Sequence, residues 1–321
     1  MAGNMLWTTN SGVLTNNKLT KAFQKAAQPL LRFRQFVKIK EAFGKHSGET
    51  VNWLKVANTD NYGKQLTETS TMPETTLGLT WGTLTVNEYG NSIPFSAKIE
   101  DLSEFEIMDL LKDGLLNDAV KCIDGVIERE FNKTPIRYAA SSTTAATVTT
   151  NSIATVTNSS VLNAYHVRKM RLELEKRNVP GYGPDNEYVM IASLEALESF
   201  EGAVESVNQY TEAGVKKIWA GEVGRYAGVR FVKDGFGTRF TYSPTAGTAT
   251  AKTWTNSLSL EGYMFGAPTV REAIVVPEEV RMKVVTDYGR SKGIGWYGLM
   301  GHAIERSDEP NARIVKWDSA A

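Results

Sequence analysis

Apolar side chains recur along this chain at two different spacings, and each spacing predicts a different element. In residues 50–57, TVNWLKVA, apolar and polar positions alternate through Val51, Trp53 and Val56, with Leu54 out of step. Residues 79–87, LTWGTLTVN, read the same way through Leu79, Trp81 and Val86. Alternation of this length is the period of a half-buried strand. The stretch between them, DNYGKQLTETSTMPETT, is polar and predicts a loop, so the pair reads as a hairpin with a long polar tip. Two strands alone bury little, so such a ribbon is expected to lean on another chain, and residues 58–78 are expected to project and to be ordered by neighbours.

After a further short strand at 93–99, the spacing changes. Met108, Leu111, Leu115, Ala119, Cys122, Ile123 and Val126 follow three or four apart and predict one helix over about 103–133. Asp101 or Ser103 is the expected cap, with Glu104 and Glu106 suited to the positive end of the helix dipole. Thirty residues span about 45 Å, long for one compact unit. Residues 139–160 carry no charge and are rich in Thr, Ser and Ala, which suits a hairpin better than a linker. A second amphipathic helix is expected over 161–177, a buried strand at EYVMIAS, a short helix from Ser193 to Phe200, a strand at GRYAGVRFVKD, and a second Thr-rich insertion at 238–260. The tail alternates strand signals with glycine. No regular βαβ repeat appears, so the fold class is α+β.

Composition then limits what the chain can be. Of 321 residues, 41% are hydrophobic and 22% charged, with 36 basic against 36 acidic side chains. That excludes a disordered chain or a fibrous rod. No apolar run is long enough to cross a bilayer, and the start, MAGNMLWTTNSG, lacks a signal-peptide pattern. One cysteine, Cys122, excludes a disulfide framework and suits a reducing compartment. The zero net charge hides an asymmetry: residues 1–48 carry net +7 and residues 100–130 carry net −7. The ordinary reading is two solvated faces. The sharper one is a basic arm lying on an acidic element of its own or a neighbouring subunit, which would fix register.

Searching for chemistry gives little. Residues 293–298, GIGWYG, have dinucleotide-fingerprint spacing after a strand at Met282–Thr286, but the chain ends before a nucleotide-binding half could follow. A glycine-relieved strand with another backbone passing close is the better reading. His46, His166 and His302 are far apart, and His166 reads as a boundary residue of its helix. No HExxH, Walker loop or nucleophile elbow occurs. Cys122 lies on the apolar stripe and is expected to be inert. No catalytic residue, cofactor or metal site is therefore expected. The scattered tryptophans point to subunit interfaces. The candidate inter-subunit contacts are Arg32, Arg34, Lys38, Trp53, Lys64 and Trp81.

The order of these parts resembles the major capsid proteins of tailed bacteriophages, with the Hong Kong 97-type fold. The arm matches 1–48. The hairpin looks like the family's extended loop (49–96). FEIMDLLKDGLLNDAVKCIDGVIEREFNKTP looks like its spine helix, within a peripheral domain of 97–160 and 268–321. YVMIASLEALESF and GEVGRYAGVRFVKD resemble its axial domain, 161–267. The opening LWTTNSGVLTNNKLTKAFQKAAQPLLRFRQFV resembles a podovirus-like and prophage subgroup. The resemblance implies a structural protein of the virion that assembles with itself, as pentamers and hexamers, into an icosahedral shell around double-stranded DNA. That shell would be made in the bacterial cytoplasm, without sequence-specific DNA contacts and without a membrane. Scaffolding, portal and decoration proteins are the further partners it implies. The chain opens directly on the arm, so any scaffold is expected to be a separate protein. Some relatives cross-link through a loop lysine. Lys55 and Lys64 lie in the hairpin, but no motif fixes a partner, and that chemistry is not carried over. An encapsulin-like compartment of the same fold and an enzyme of unrecognised type are the alternatives.

Overall fold

The computed structural model describes residues 32–40, 48–57, 63, 65–68, 70–72, 74–103, 106–151, 160–198, 200, 225–252 and 261–318. Lys64, His46, Trp7, Trp219, Trp254, most of the arm and parts of both Thr-rich stretches lie outside them.

A single 3-10 turn at Arg34–Phe36 leads into β1 (Lys38–Lys40). Strands β2 (Thr50–Val56) and β3 (Leu79–Thr85) pair antiparallel as the expected ribbon. β4 (Asn87–Ser96) is longer than the strand expected at 93–99 and gives way to helix α1 (Ala97–Leu102). The long helix α2 (Ile107–Phe131) follows. Then come β5 (Ile136–Ser142), β6 (Ala145–Thr149), α3 (Ala164–Lys176) and β7 (Tyr188–Ser193). The chain continues through β8 (Arg225–Tyr226), β9 (Val229–Asp234), β10 (Phe240–Ser243) and β11 (Thr248–Ala251). It closes with β12 (Gly262–Phe265), β13 (Val270–Met282), β14 (Ser291–Ile304) and β15 (Ile314–Trp317).

Two main sheets flank α2. One has four strands in the order β1-β13-β14-β4, and the other seven in the order β6-β5-β15-β12-β7-β9-β8. The first half of α2 buries Ile107, Leu111, Leu115, Ala119 and Cys122 against Phe95, Ile294 and Trp296 of the four-stranded sheet. Its second half buries Ile123, Ile127 and Phe131 with Val189, Ile191, Tyr263 and Phe265 of the seven-stranded sheet. Helix α3 covers that sheet's other core through Val167, Met170 and Leu174. Its start is capped as helix physics asks: Asn163 Oδ1 accepts the N–H groups of Tyr165 and His166.

Several expectations change. The predicted single helix is interrupted: Ser103 is extended and ends α1, and α2 begins after Glu106 with no side-chain cap. Helix α2 is therefore 25 residues, about 37 Å, long. The alternation in the ribbon also divides. Val51, Trp53, Leu84 and Val86 face inward, whereas Leu54, Val56, Leu79 and Trp81 face outward. Lys55, not Val56, continues the inward row, with its Nζ 5.8 Å from the Trp53 ring centroid. His166 is fully buried, not a boundary residue, because Tyr138 and Trp317 close over that side of α3. Its Nδ1 lies 3.0 Å from the Tyr138 hydroxyl, and burial lowers its pKa. Finally, β5, β6 and β15 hydrogen-bond in the same sheet as β7, β9 and β12, so the boundary drawn at residues 160 and 268 is crossed by a continuous sheet.

Candidate assembly surface

The ribbon is seated on the four-stranded sheet by a few close contacts. Trp53 lies under the Arg271 guanidinium, 4.9 Å from ring centroid to Cζ, and Arg271 is in turn paired with Glu305. Gly82 has no side chain because the Trp53 ring occupies that space: a Cβ there would sit 2.2 Å from the indole. Gly301 makes the same allowance for Leu84 and the Thr85 backbone. Arg306 donates to the Val56 carbonyl at 3.1 Å, holding the distal end of β2.

Seating the inner face leaves the outer face uncovered. Leu54 is paired across the ribbon with Trp81, and Val56 with Leu79. Their exposures are 47%, 69%, 43% and 55% respectively. Beyond them, Met72 and Leu77 are also exposed. Two adjacent apolar cross-strand pairs on one solvent-facing side form a patch, and such patches mark contact with another molecule. A second exposed apolar group lies at the far end of β13 and the turn after it, with Val280, Met282, Val284, Val285 and Tyr288.

The arm joins the body at one side of this junction. Asp124, buried on α2, accepts the backbone N–H groups of Arg32 and Phe33 at 3.1 and 3.0 Å. Burial, then the nearby Asp234 carboxylate, push its pKa up to about 7. The Phe33 ring packs edge-on against Phe131 and Tyr263. Arg34 reaches the other way, to Glu278 at 2.6 Å and Glu272 at 3.1 Å. Burial alone would raise the pKa of Glu272, but His302 and Arg34 hold it below its usual value.

The candidate residues therefore fall into two groups. Arg34, Lys38 and Trp53 converge on β13: Arg34 on Glu272 and Glu278, Lys38 in register with Arg271, and Trp53 beneath Arg271. Arg34 and Trp53 thus make their contacts within the chain. Trp81 is on the opposite, exposed face of the same ribbon. Arg32 is bound to α2 through its backbone, and Lys64 lies outside the described residues. The carboxylates that take the arm's Arg34 side chain are on β13, not on the acidic stretch 100–130, which contributes Asp124 to backbone groups. Sequence reading missed Asp124, Glu272 and Arg306. Their partners are between 30 and 250 residues away in sequence, and no local pattern marks them.

The glycine run 293–298 lies inside β14, between β13 and β4. A Cβ at Gly295 would meet the Asn91 carbonyl at 2.9 Å, and among the described residues no α-helix follows the run. An open groove of about 390 Å³ lies over these glycines, beside Ser92, Pro94, Arg281 and Lys283. Among the described residues no His, Cys, Asp and Glu side chains group as a metal site, and no helix is long and apolar enough to cross a membrane. Burial pushes the Cys122 thiol up to about 11, so it is not a nucleophile at neutral pH.

No family model and no curated protein matches the sequence. Solved structures do match, over the whole chain. The acid-stable capsid of Helicobacter pylori bacteriophage KHP30 superposes with a TM-score of 0.70 at 14% identity, covering 100% of both chains. The capsid of cyanophage Pam1 gives 0.68 at 13% identity, again covering 100% of both. The capsid of Ralstonia phage GP4 gives 0.67 at 10%, covering 95% of each. At such identities the likeness is one of backbone architecture, and the fold of this chain, from end to end, is the phage capsid fold.

Proposed function

We propose that this chain is the major capsid protein of a tailed bacteriophage and assembles with itself into an icosahedral shell around double-stranded DNA. The observation that carries the reading is the full-length match to phage capsids. The unpartnered outer face of the ribbon agrees with it, because a surface of that kind needs another chain. In this reading the ribbon is the extended loop and α2 the spine helix. The four-stranded sheet belongs to the peripheral unit. The seven-stranded sheet is the axial unit, which takes in β5, β6 and β15. The protein's work is structural, its place is the virion, and its partners are copies of itself. Enclosed DNA is held without base-specific contacts, and scaffolding, portal and decoration proteins are the additional partners to seek.

Arg32, Arg34 and Lys38 set the arm, and Lys64, Trp53 and Trp81 set the ribbon, for contact with the next subunit. Velocity sedimentation of the purified protein tests this. A fast, uniform particle boundary supports the reading. A single slow boundary of monomer or dimer under every assembly condition contradicts it. Nuclease-protected DNA inside particles from infected cells distinguishes a virus from a protein compartment.

A further inference from the structure

Hydrogen-bond donors without acceptors gather where the ribbon is seated on the four-stranded sheet. Trp53 is 6% exposed, and its indole Nε1–H has no acceptor. Lys55, two residues on along the same inward row, is 9% exposed; its Nζ lies 5.8 Å from the Trp53 ring centroid and, among the described residues, meets no carboxylate. Arg306 gives one nitrogen to the Val56 carbonyl at 3.1 Å, while its buried Nε has no acceptor. Arg271, 4.9 Å from the same indole, is already engaged by Glu305. Buried donors are matched as a rule, so open ones from three residues at one junction ask for an acceptor. The charge is one-sided as well. Lys55, Arg271, Arg306 and Arg313 are four bases against the two acids Glu305 and Asp308. Burial lowers the Arg313 pKa; Glu305 raises it, Arg306 and Arg271 lower it further and Asp308 raises it, so these groups act on one another. Water answers an open donor but leaves a surplus of positive charge in place. An anion answers both.

We propose that Trp53 Nε1, Lys55 Nζ and the Arg306 guanidinium bind one small, doubly charged tetrahedral oxyanion, inorganic phosphate, between the ribbon and the sheet. Trp53 and Lys55 are two apart on one face of β2, so their side chains are neighbours, and Arg306 reaches the next carbonyl of the same strand. The donors therefore come from two elements and from different directions. Four oxygens arranged tetrahedrally meet such a set, whereas a carboxylate presents its two oxygens in one plane. The two negative charges of the ion equal the excess of four bases over two acids. Beside the cluster, β1 sets a further base, Lys38, in register with Arg271. The near-complete burial of Lys55 keeps a nucleic-acid backbone from reaching it, while Arg306, only partly covered, leaves a small ion a way in. The bound ion would tie β2 to the segment that follows β14, and so fix the angle at which the ribbon leaves the body.

The test titrates the unassembled full-length chain with sodium phosphate, with ionic strength held constant by sodium chloride. The expected result is a saturable rise in melting temperature, together with a saturable shift of one indole N–H resonance, the one missing from Trp53→Phe. Lys55→Met keeps an apolar stem against Trp53 and should weaken binding about tenfold or more, as should Arg306→Gln. Equal melting curves in phosphate and in chloride overturn the proposal, and so does undiminished binding in both variants. Where a variant fails to fold, the parent chain decides: a Trp53 resonance that phosphate does not move overturns the site. A short duplex oligonucleotide should leave that resonance unmoved, and a shift as large as that with phosphate overturns the assignment to a free ion. The measurement is made on unassembled chains, so its outcome is independent of whether shells form.

Discussion

Asp124 and Phe33 are joined by one hydrogen bond, 3.0 Å from the Phe33 N–H to the carboxylate, across 91 residues of sequence. The Asp124 carboxyl carries a pH dependence that the bond itself opposes. Burial raises the Asp124 pKa from 3.8 to about 7 in the folded chain. The native state therefore binds more protons than the unfolded state between those values, and stability falls as pH rises from about 4 to 7. Asp124→Asn, which keeps an acceptor for Arg32 and Phe33, should remove that loss. Thermal melts of the unassembled protein should show the variant gaining on the parent by about 1–4 kcal/mol between pH 4 and pH 8. Parallel melting curves across that range would contradict this.

Gly82 is the closest-packed position of the ribbon. Gly82→Ala places a methyl group into the Trp53 ring, and overfilling of this kind costs about 1–3 kcal/mol. Because the collision pushes β3 off the four-stranded sheet, the variant should also show a shifted tryptophan emission. Unchanged stability and emission would mean that Trp53 is not seated there.

Arg34 tests the junction with the arm. Its partner Glu272 has no side-chain exposure, so Arg34→Met leaves a buried carboxylate with, among the described residues, His302 alone paired to it. Removing one partner of a buried pair costs about 3–5 kcal/mol. Urea unfolding should show a loss of that order, with part of it recovered in the double variant Arg34→Met, Glu272→Gln.

Trp81 separates assembly from folding. Its side chain is 69% exposed, so Trp81→Ser should change the stability of the unassembled chain by no more than about 0.5 kcal/mol. Assembly, in contrast, should fail or slow greatly, because the outer patch of Leu54, Val56, Leu79 and Trp81 is broken. Light scattering during assembly reads this directly. Normal assembly of the variant would remove the outer ribbon face from the account.

How much of this was legible depended on how local the cause was. The ribbon, α2 and α3 were readable because their spacing is a property of neighbouring residues. The face each ribbon residue takes was also written in the sequence, but in parity: Leu79 and Trp81 are odd-numbered, while Leu84 and Val86 are even, so one alternation cannot hold all four. Gly82 is where the inward row takes over, and its missing side chain was the signal. The break at Ser103 was hidden because acidic residues suit both a helix start and an exposed loop. The seating of the arm was not readable at all. Asp124 looks like one more acid on a charged helix until Phe33 is brought to it, and Arg34 looks like surface until β13 supplies Glu272 and Glu278. The placement of β15 in the sheet with β7 and β12 depends on pairing between strands about 50 residues apart or more, which no window of sequence contains.

The central claim is that this chain closes into a shell by contacts with its own copies. Electron microscopy of the protein produced alone, or with a scaffolding protein where one is needed, tests it most directly. The expected result is closed icosahedral particles in which the outer face of each ribbon, at Leu54 and Trp81, lies against a neighbouring subunit. Discrete small oligomers under all conditions, or shells in which that face remains open to solvent, would contradict it.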